Sequence, residues 1–128
     1  MTIGFVLLVV RAWWELVAFD LINAVTGFQG IHSSLARQRV KSKKLHKWSD
    51  TAICESVSLA ACFYFRPVQC LQRSVAAAKL LRKHGIASRL VIGYRAAPFF
   101  SHAWVEVNDR VLNDSPAYKE RLQVLVTI

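Results

Sequence analysis

The sequence predicts an α+β fold, helices first and an antiparallel sheet after, on three observations. Apolar residues recur at three- and four-residue steps from Ile3 to about Val25, a second and a third segment carry helix start and stop signals, and everything after Gly85 alternates like β-strand. At 128 residues the chain fits one domain with one core. Within that domain, residues 1–66 read as a helical N-terminal region and residues 67–128 as a helix followed by a sheet.

In the first segment Phe5, Leu8, Val9, Trp13, Leu16, Val17 and Phe19 form the apolar stripe of a helix, and Leu7, Val10 and Trp14 thicken it. Ile3 to Val10 is continuously apolar, but Arg11, Glu15 and Asp20 interrupt the residues after it, so no transmembrane helix of roughly 20 apolar residues is expected. Gly27 and Gly30 are expected to loosen the chain before its most basic stretch, Arg37 to Trp48, where six Lys or Arg occur without an acid. Ser49 and Asp50 can cap a second helix running through Phe63, because their side-chain oxygens accept from the free N–H groups of a first turn. Cys54 and Cys62 fall in its apolar interior and read as inert core thiols.

The third helix is the best marked. Pro67 suits a first turn, the run Ala76-Ala77-Ala78 has high helix propensity, Arg82-Lys83-His84 complement the negative end of the dipole, and Gly85 can take the left-handed terminating conformation. Cys70 therefore belongs in or near the first turn. Strands come after it at Ser88–Tyr94, His102–Val107, Arg110–Asn113 and Leu122–Ile128, separated by turn residues.

The net charge of +9 admits polyanions, acidic peptides and anionic membranes as partners without choosing among them. No nucleic-acid motif or phosphate-binding Gly-rich loop is present, and no close cluster of His, Cys, Asp or Glu suggests a metal. Neither a cofactor nor a metal is expected. Three cysteines and no cleavable secretory signal point to a reducing, cytoplasmic setting rather than to a disulfide framework.

Chemistry converges on three residues. A thiol at a helix N-terminus is activated by free N–H groups and the helix dipole, and a neighbouring imidazole can then serve as base if a third group fixes its tautomer. Cys70 has the first property by position; His102 and Asp114 suit the other roles. A cysteine in an apolar helix is more often structural than catalytic, so the helix start alone does not decide the matter. His32, His46 and His84 are rival bases, of which His84 is better explained as a helix C-terminal residue, and Asp109 is a rival acid better explained as a turn residue.

Strand alternation places His102, Trp104 and Glu106 on one face and Ala103, Val105 and Val107 on the other. A two-residue turn at Asn108-Asp109 would pair Val107 with Arg110 and put His102 and Asp114 on opposite faces. A bulged or longer turn over Asn108 to Arg110 is therefore expected.

Cys70-Leu71-Gln72-Arg73-Ser74, then Leu80-Leu81-Arg82-Lys83-His84-Gly85-Ile86, Ser101-His102-Ala103-Trp104-Val105-Glu106-Val107 and Asn113-Asp114, resemble the transglutaminase-like leader peptidases of lasso-peptide biosynthesis. The Cys-to-His interval of 32 and the His-to-Asp interval of 12 match that arrangement. The resemblance implies a papain-like cysteine protease, with Cys70, His102 and Asp114 as catalytic residues, that removes the leader from a ribosomally made precursor before a separate cyclase closes the ring. It also implies a stand-alone form: its partners would be the precursor's leader, a separate precursor-recognition protein and the lasso cyclase. The Cys70 N–H would serve the oxyanion, with Gln69 as a less favoured further donor; Trp104 and Pro98-Phe99-Phe100 either wall the cleft or pack as ordinary structural side chains. Two other readings compete: an acyl transferase using the same Cys70 thioester, and a non-enzymatic module that the charge of +9 attaches to nucleic acid or membrane, which leaves the convergence of Cys, His and Asp unexplained.

Overall fold

The computed structural model describes residues 2–40, 48–113 and 117–128. Helix α1 spans Ile3–Arg37, its first turn capped by the Thr2 hydroxyl, which accepts from the Phe5 N–H at 3.2 Å. Leu8, Ala12, Leu16 and Phe19 are its buried stripe. The glycines do not end it: α1 kinks at Gly27 (φ 67°, ψ −159°) and continues, burying Ile31 and Leu35. Such dihedrals are open essentially to glycine alone, which is why the bend falls there.

Helix α2 (Asp50–Cys62) starts as expected, with Ser49 Oγ accepting from the Ala52 N–H at 3.1 Å. Its buried face is Ile53, Cys54, Ser56, Val57 and Ala60. Cys54 is in the core and burial pushes its thiol up to about 12. Cys62, expected beside it, is exposed. Eight residues at about 100° each leave the two about 80° apart around the helix, enough to carry the second off the buried face.

Helix α3 (Cys70–Lys83) is central. It packs on α1, α2 and the strand Phe99–Val107, and every residue from Ser74 to Arg82 is buried. The three alanines allow that close approach from several sides. Pro67 lies ahead of the helix instead of in its first turn; Gln69 is the N-cap. His84 closes the helix as the C-cap, its Nδ1 2.9 Å from the Leu80 carbonyl, and Gly85 takes φ 82°.

Polar side chains of α3 fasten it to α1 on both sides of the kink. Gln72 Nε2 donates to the Leu16 carbonyl at 2.9 Å, and Lys79 Nζ donates to Ser34 Oγ at 2.6 Å. Burial pulls the Lys79 ammonium below its usual range. Arg82 reaches the Leu35 and Gln38 carbonyls at the end of α1 as well as those of Ser88 and Ile128.

The sheet comprises β1 (Arg89–Ala96), β2 (Phe99–Val107), β3 (Arg110–Val111) and β4 (Gln123–Thr127), in the order β3-β2-β1-β4, all neighbours antiparallel. A short helix α4 (Ala117–Arg121) precedes β4. Leu90, Ala103, Val105 and Val107 face the helices and join the main core. Val91, Trp104 and Leu122 form a second cluster on the outer face. Beside the Trp104 ring the chain needs glycine: a Cβ on Gly93 would stand 2.8 Å from that ring and 2.9 Å from Leu122 Cβ. Gly93→Ala is accordingly expected to cost about 1–3 kcal/mol in urea unfolding; a change below about 0.5 kcal/mol would mean that the ring yields freely.

The β2–β3 connection corrects the bulged turn expected from the sequence. It is a two-residue turn with Asn108 (φ 51°) and Asp109 (φ 63°) both left-handed, and it pairs Val107 with Arg110 and Glu106 with Val111. Asn and Asp tolerate that conformation better than other non-glycine residues, and the resulting turn matches strand twist. Asp109, the rival acid, is thereby a turn residue ion-paired with Arg89.

Candidate active site

Cys70 is the first residue of α3, partly buried. In a helix the first N–H groups have no intrahelical acceptor, and the first turn of α3 contains no acid to neutralise their partial positive charge. The Gln69 carbonyl already accepts from the Arg73 N–H at 3.0 Å, while its side chain makes no capping bond to the helix. The thiol thus sits where negative charge is favoured and a helix donor lies next to it.

His102 is in β2, half-buried, on the outer face opposite Gly93. Its ring stacks between those of Phe100 (6.1 Å) and Trp104 (6.4 Å). By strand alternation the imidazole and the helices lie on opposite sides of the sheet, so a route from Cys70 to His102 must pass round an edge of β2. The structure leaves such an edge. Among the described residues, β3 pairs only with Glu106 and Val107, and one further bond runs from the Leu112 N–H to the Val105 carbonyl at 3.0 Å.

Among the described residues, the further bonds on that edge come from side chains. The Val105 N–H donates to Asn113 Oδ1 at 2.8 Å. The Ala103 carbonyl, which shares the direction of Val105, accepts from Ser74 Oγ at 3.1 Å. Asn113 Nδ2 donates to that same hydroxyl at 3.0 Å. Ser88 Oγ also donates to the Ala78 carbonyl at 3.0 Å, so moving toward the start of α3 means moving along β2 toward Ser101 and His102. Cys70 lies one further turn, roughly 5 Å, past Ser74. The helix start and the His102 segment therefore run together along the open edge. Asp114 lies outside the described residues, as do His46 and most of the basic stretch.

Trp104 is fully buried and its Nε1 donates to Glu106 Oε2 at 2.8 Å, so it supports the sheet and walls no cleft. Glu106 is also buried and paired with Arg89 (3.4 Å) and Lys119 (3.2 Å). Phe99 is exposed at the tip of the β1–β2 hairpin, as are Phe63 and Phe65 in the loop leading to Cys70. Ser74 and Asn113 carry only slight signals in the sequence: a hydroxyl one turn after the cysteine in an otherwise apolar helix face, and an amide directly before the aspartate.

Among the described residues no group of three or more His, Cys, Asp or Glu is placed to hold a metal, and no helix is long and apolar enough to cross a membrane.

The profile of the transglutaminase-like superfamily matches residues 13–127, nearly the whole chain. The chain is also similar to the microcin J25-processing protein McjB of Escherichia coli, 44% identical over 59 residues. That stretch is 46% of this chain and 28% of the relative, so the match covers under a third of the other protein. No solved structure matches the chain.

Proposed function

Given that this chain belongs to the transglutaminase-like superfamily, we propose that it is a cysteine protease that removes the leader peptide from a ribosomally made lasso precursor. The similarity to a microcin J25-processing protein is the observation that carries the substrate class. Cys70 is the nucleophile, His102 the base and Asp114 the residue that orients it. The Cys70 thiolate attacks the carbonyl at the leader–core junction. The resulting oxyanion is met by the Cys70 N–H at the start of α3, with the Gln69 side chain as a second donor. His102 protonates the leaving amine, then takes a proton from the water that hydrolyses the thioester. The leader is presented by a separate recognition protein, and the freed core passes to a lasso cyclase.

The test is the mass balance of a lasso precursor incubated with the protein, with and without a recognition protein. Two fragments whose masses add to the precursor plus one water identify hydrolysis at a single bond. A leader fragment carrying an amine in place of the water would instead make the protein a transferase on the same thioester. A precursor left intact under every condition would refute the protease reading.

A further inference from the structure

The hydrogen bonds along the open edge of β2 connect places that no backbone ladder joins. Asn113 Oδ1 holds the Val105 N–H, Asn113 Nδ2 holds Ser74 Oγ, and Ser74 Oγ holds the Ala103 carbonyl, all within 2.8–3.1 Å. Each anchoring residue has a chemical neighbour. Ser74 stands one helical turn after Cys70, Ala103 comes directly after His102, and Asn113 directly precedes Asp114. The hydroxyl of Ser74 is spent in both senses, donating to β2 and accepting from Asn113, so its orientation is fixed. Ser74 is fully buried, where a lost partner is not replaced by water.

From this we infer that Ser74 and Asn113 are positioning residues: they take over the edge of β2 where β3 stops and hold the start of α3 in register with His102. The inference rests on the protease reading above. Backbone pairing would continue the sheet and cover the edge; side-chain pairing satisfies the same N–H and C=O groups while leaving room for the helix start. Reacting groups must be aligned to within a fraction of an ångström, so a loosened support costs the alignment of thiol and imidazole before it costs the fold.

The test reads the thiol itself and needs no substrate. The full chain is treated with iodoacetamide near pH 6, and modification is resolved for each cysteine by mass spectrometry. Cys62 is exposed and gives the rate of an ordinary thiol; Cys54 is buried, with its thiol pushed up to about 12, and reacts only if the fold opens. In the wild type Cys70 is expected to react at least about tenfold faster than Cys62, and His102→Ala to abolish the difference. Asn113→Ala is expected to lose most of that advantage, about tenfold, while Cys54 stays unmodified. A merely structural role would change Cys54 and leave the ratio of Cys70 to Cys62 alone.

If Asn113→Ala retains the advantage that His102→Ala loses, the positioning role is wrong and the protease reading stands. If wild-type Cys70 is no faster than Cys62, both fail together. Should Asn113→Ala expose Cys54, Ser74→Ala is read by the same criterion, because it leaves Asn113 on Val105. Exposure of Cys54 in both variants would assign the network to the fold and overturn the inference.

Discussion

Alanine at Cys70 is expected to lower the rate of precursor cleavage by on the order of 10⁵-fold or more, with little change in stability. The residue is only partly buried and its side chain is small, so truncation removes a nucleophile and little packing. Covalent attack is the step that divides peptide hydrolysis into two manageable barriers, and water delivered to an empty helix start cannot replace it. Cys62→Ala is the matched control. Its thiol is exposed at the far end of α2, and cleavage by that variant should equal wild type. His102→Ala should fall nearly as far as Cys70→Ala, and the double variant little further, because groups that act as one unit are not additive. Initial rates on one precursor check all of these; a Cys70→Ala rate within tenfold of wild type would remove Cys70 from the chemistry.

The second large effect is structural. Arg82→Ala is expected to destabilise the fold by about 3–5 kcal/mol. Its guanidinium donates to Leu35 O at 2.6 Å, Gln38 O at 3.1 Å, Ser88 O at 2.8 Å and Ile128 O at 3.0 Å. These carbonyls belong to the end of α1, the entry to β1 and the residue after β4. Truncation removes a charged donor from all four; Leu35 O keeps the Gln38 N–H and Ile128 O the Leu90 N–H, while the Gln38 and Ser88 carbonyls lose the guanidinium as their partner. Arg82→Lys keeps the charge but replaces a planar fork with a single point, so it should recover only part of the loss. Urea unfolding measures both, and a loss under about 1 kcal/mol for alanine would show that water or a neighbour fills the place.

Arg82 also shows where sequence reading stops. Its position in the last turn of α3 suggests a complement to the helix dipole, and a local rule can offer nothing more. That three separated segments end at this one side chain is a tertiary fact without a periodic signature. The features that local rules do govern are legible: the Ser49 cap of α2, the course of α3 to Gly85, and the alternation that sends Ala103, Val105 and Val107 to the core.

The turn at Asn108-Asp109 departs from expectation for a definite reason. Counting alternate residues puts His102 and Asp114 on one face only with a bulge, provided that the backbone ladder runs unbroken from the turn onward. The ladder in fact passes from backbone to side chain at Asn113, and alternation cannot be counted through such a change. The two-residue turn and the proposed site are therefore compatible, and no bulge is needed. Similarly, Gly27 and Gly30 suggest a loosened end to α1, yet burial of Ile31 and Leu35 restores the helix one turn later.

The bend in α1 has a mechanical consequence. A straight rod lying along another can slide by one turn and exchange each contact for an equivalent one. A rod with an elbow cannot, since the elbow would have to travel with it. Helix α1 grips α3 at Leu16 before its elbow and at Ser34 and Leu35 after it, so axial slippage of α3 would break both grips together. Gly27, far along the chain from Cys70, thus helps to fix how far the start of α3 projects past its support.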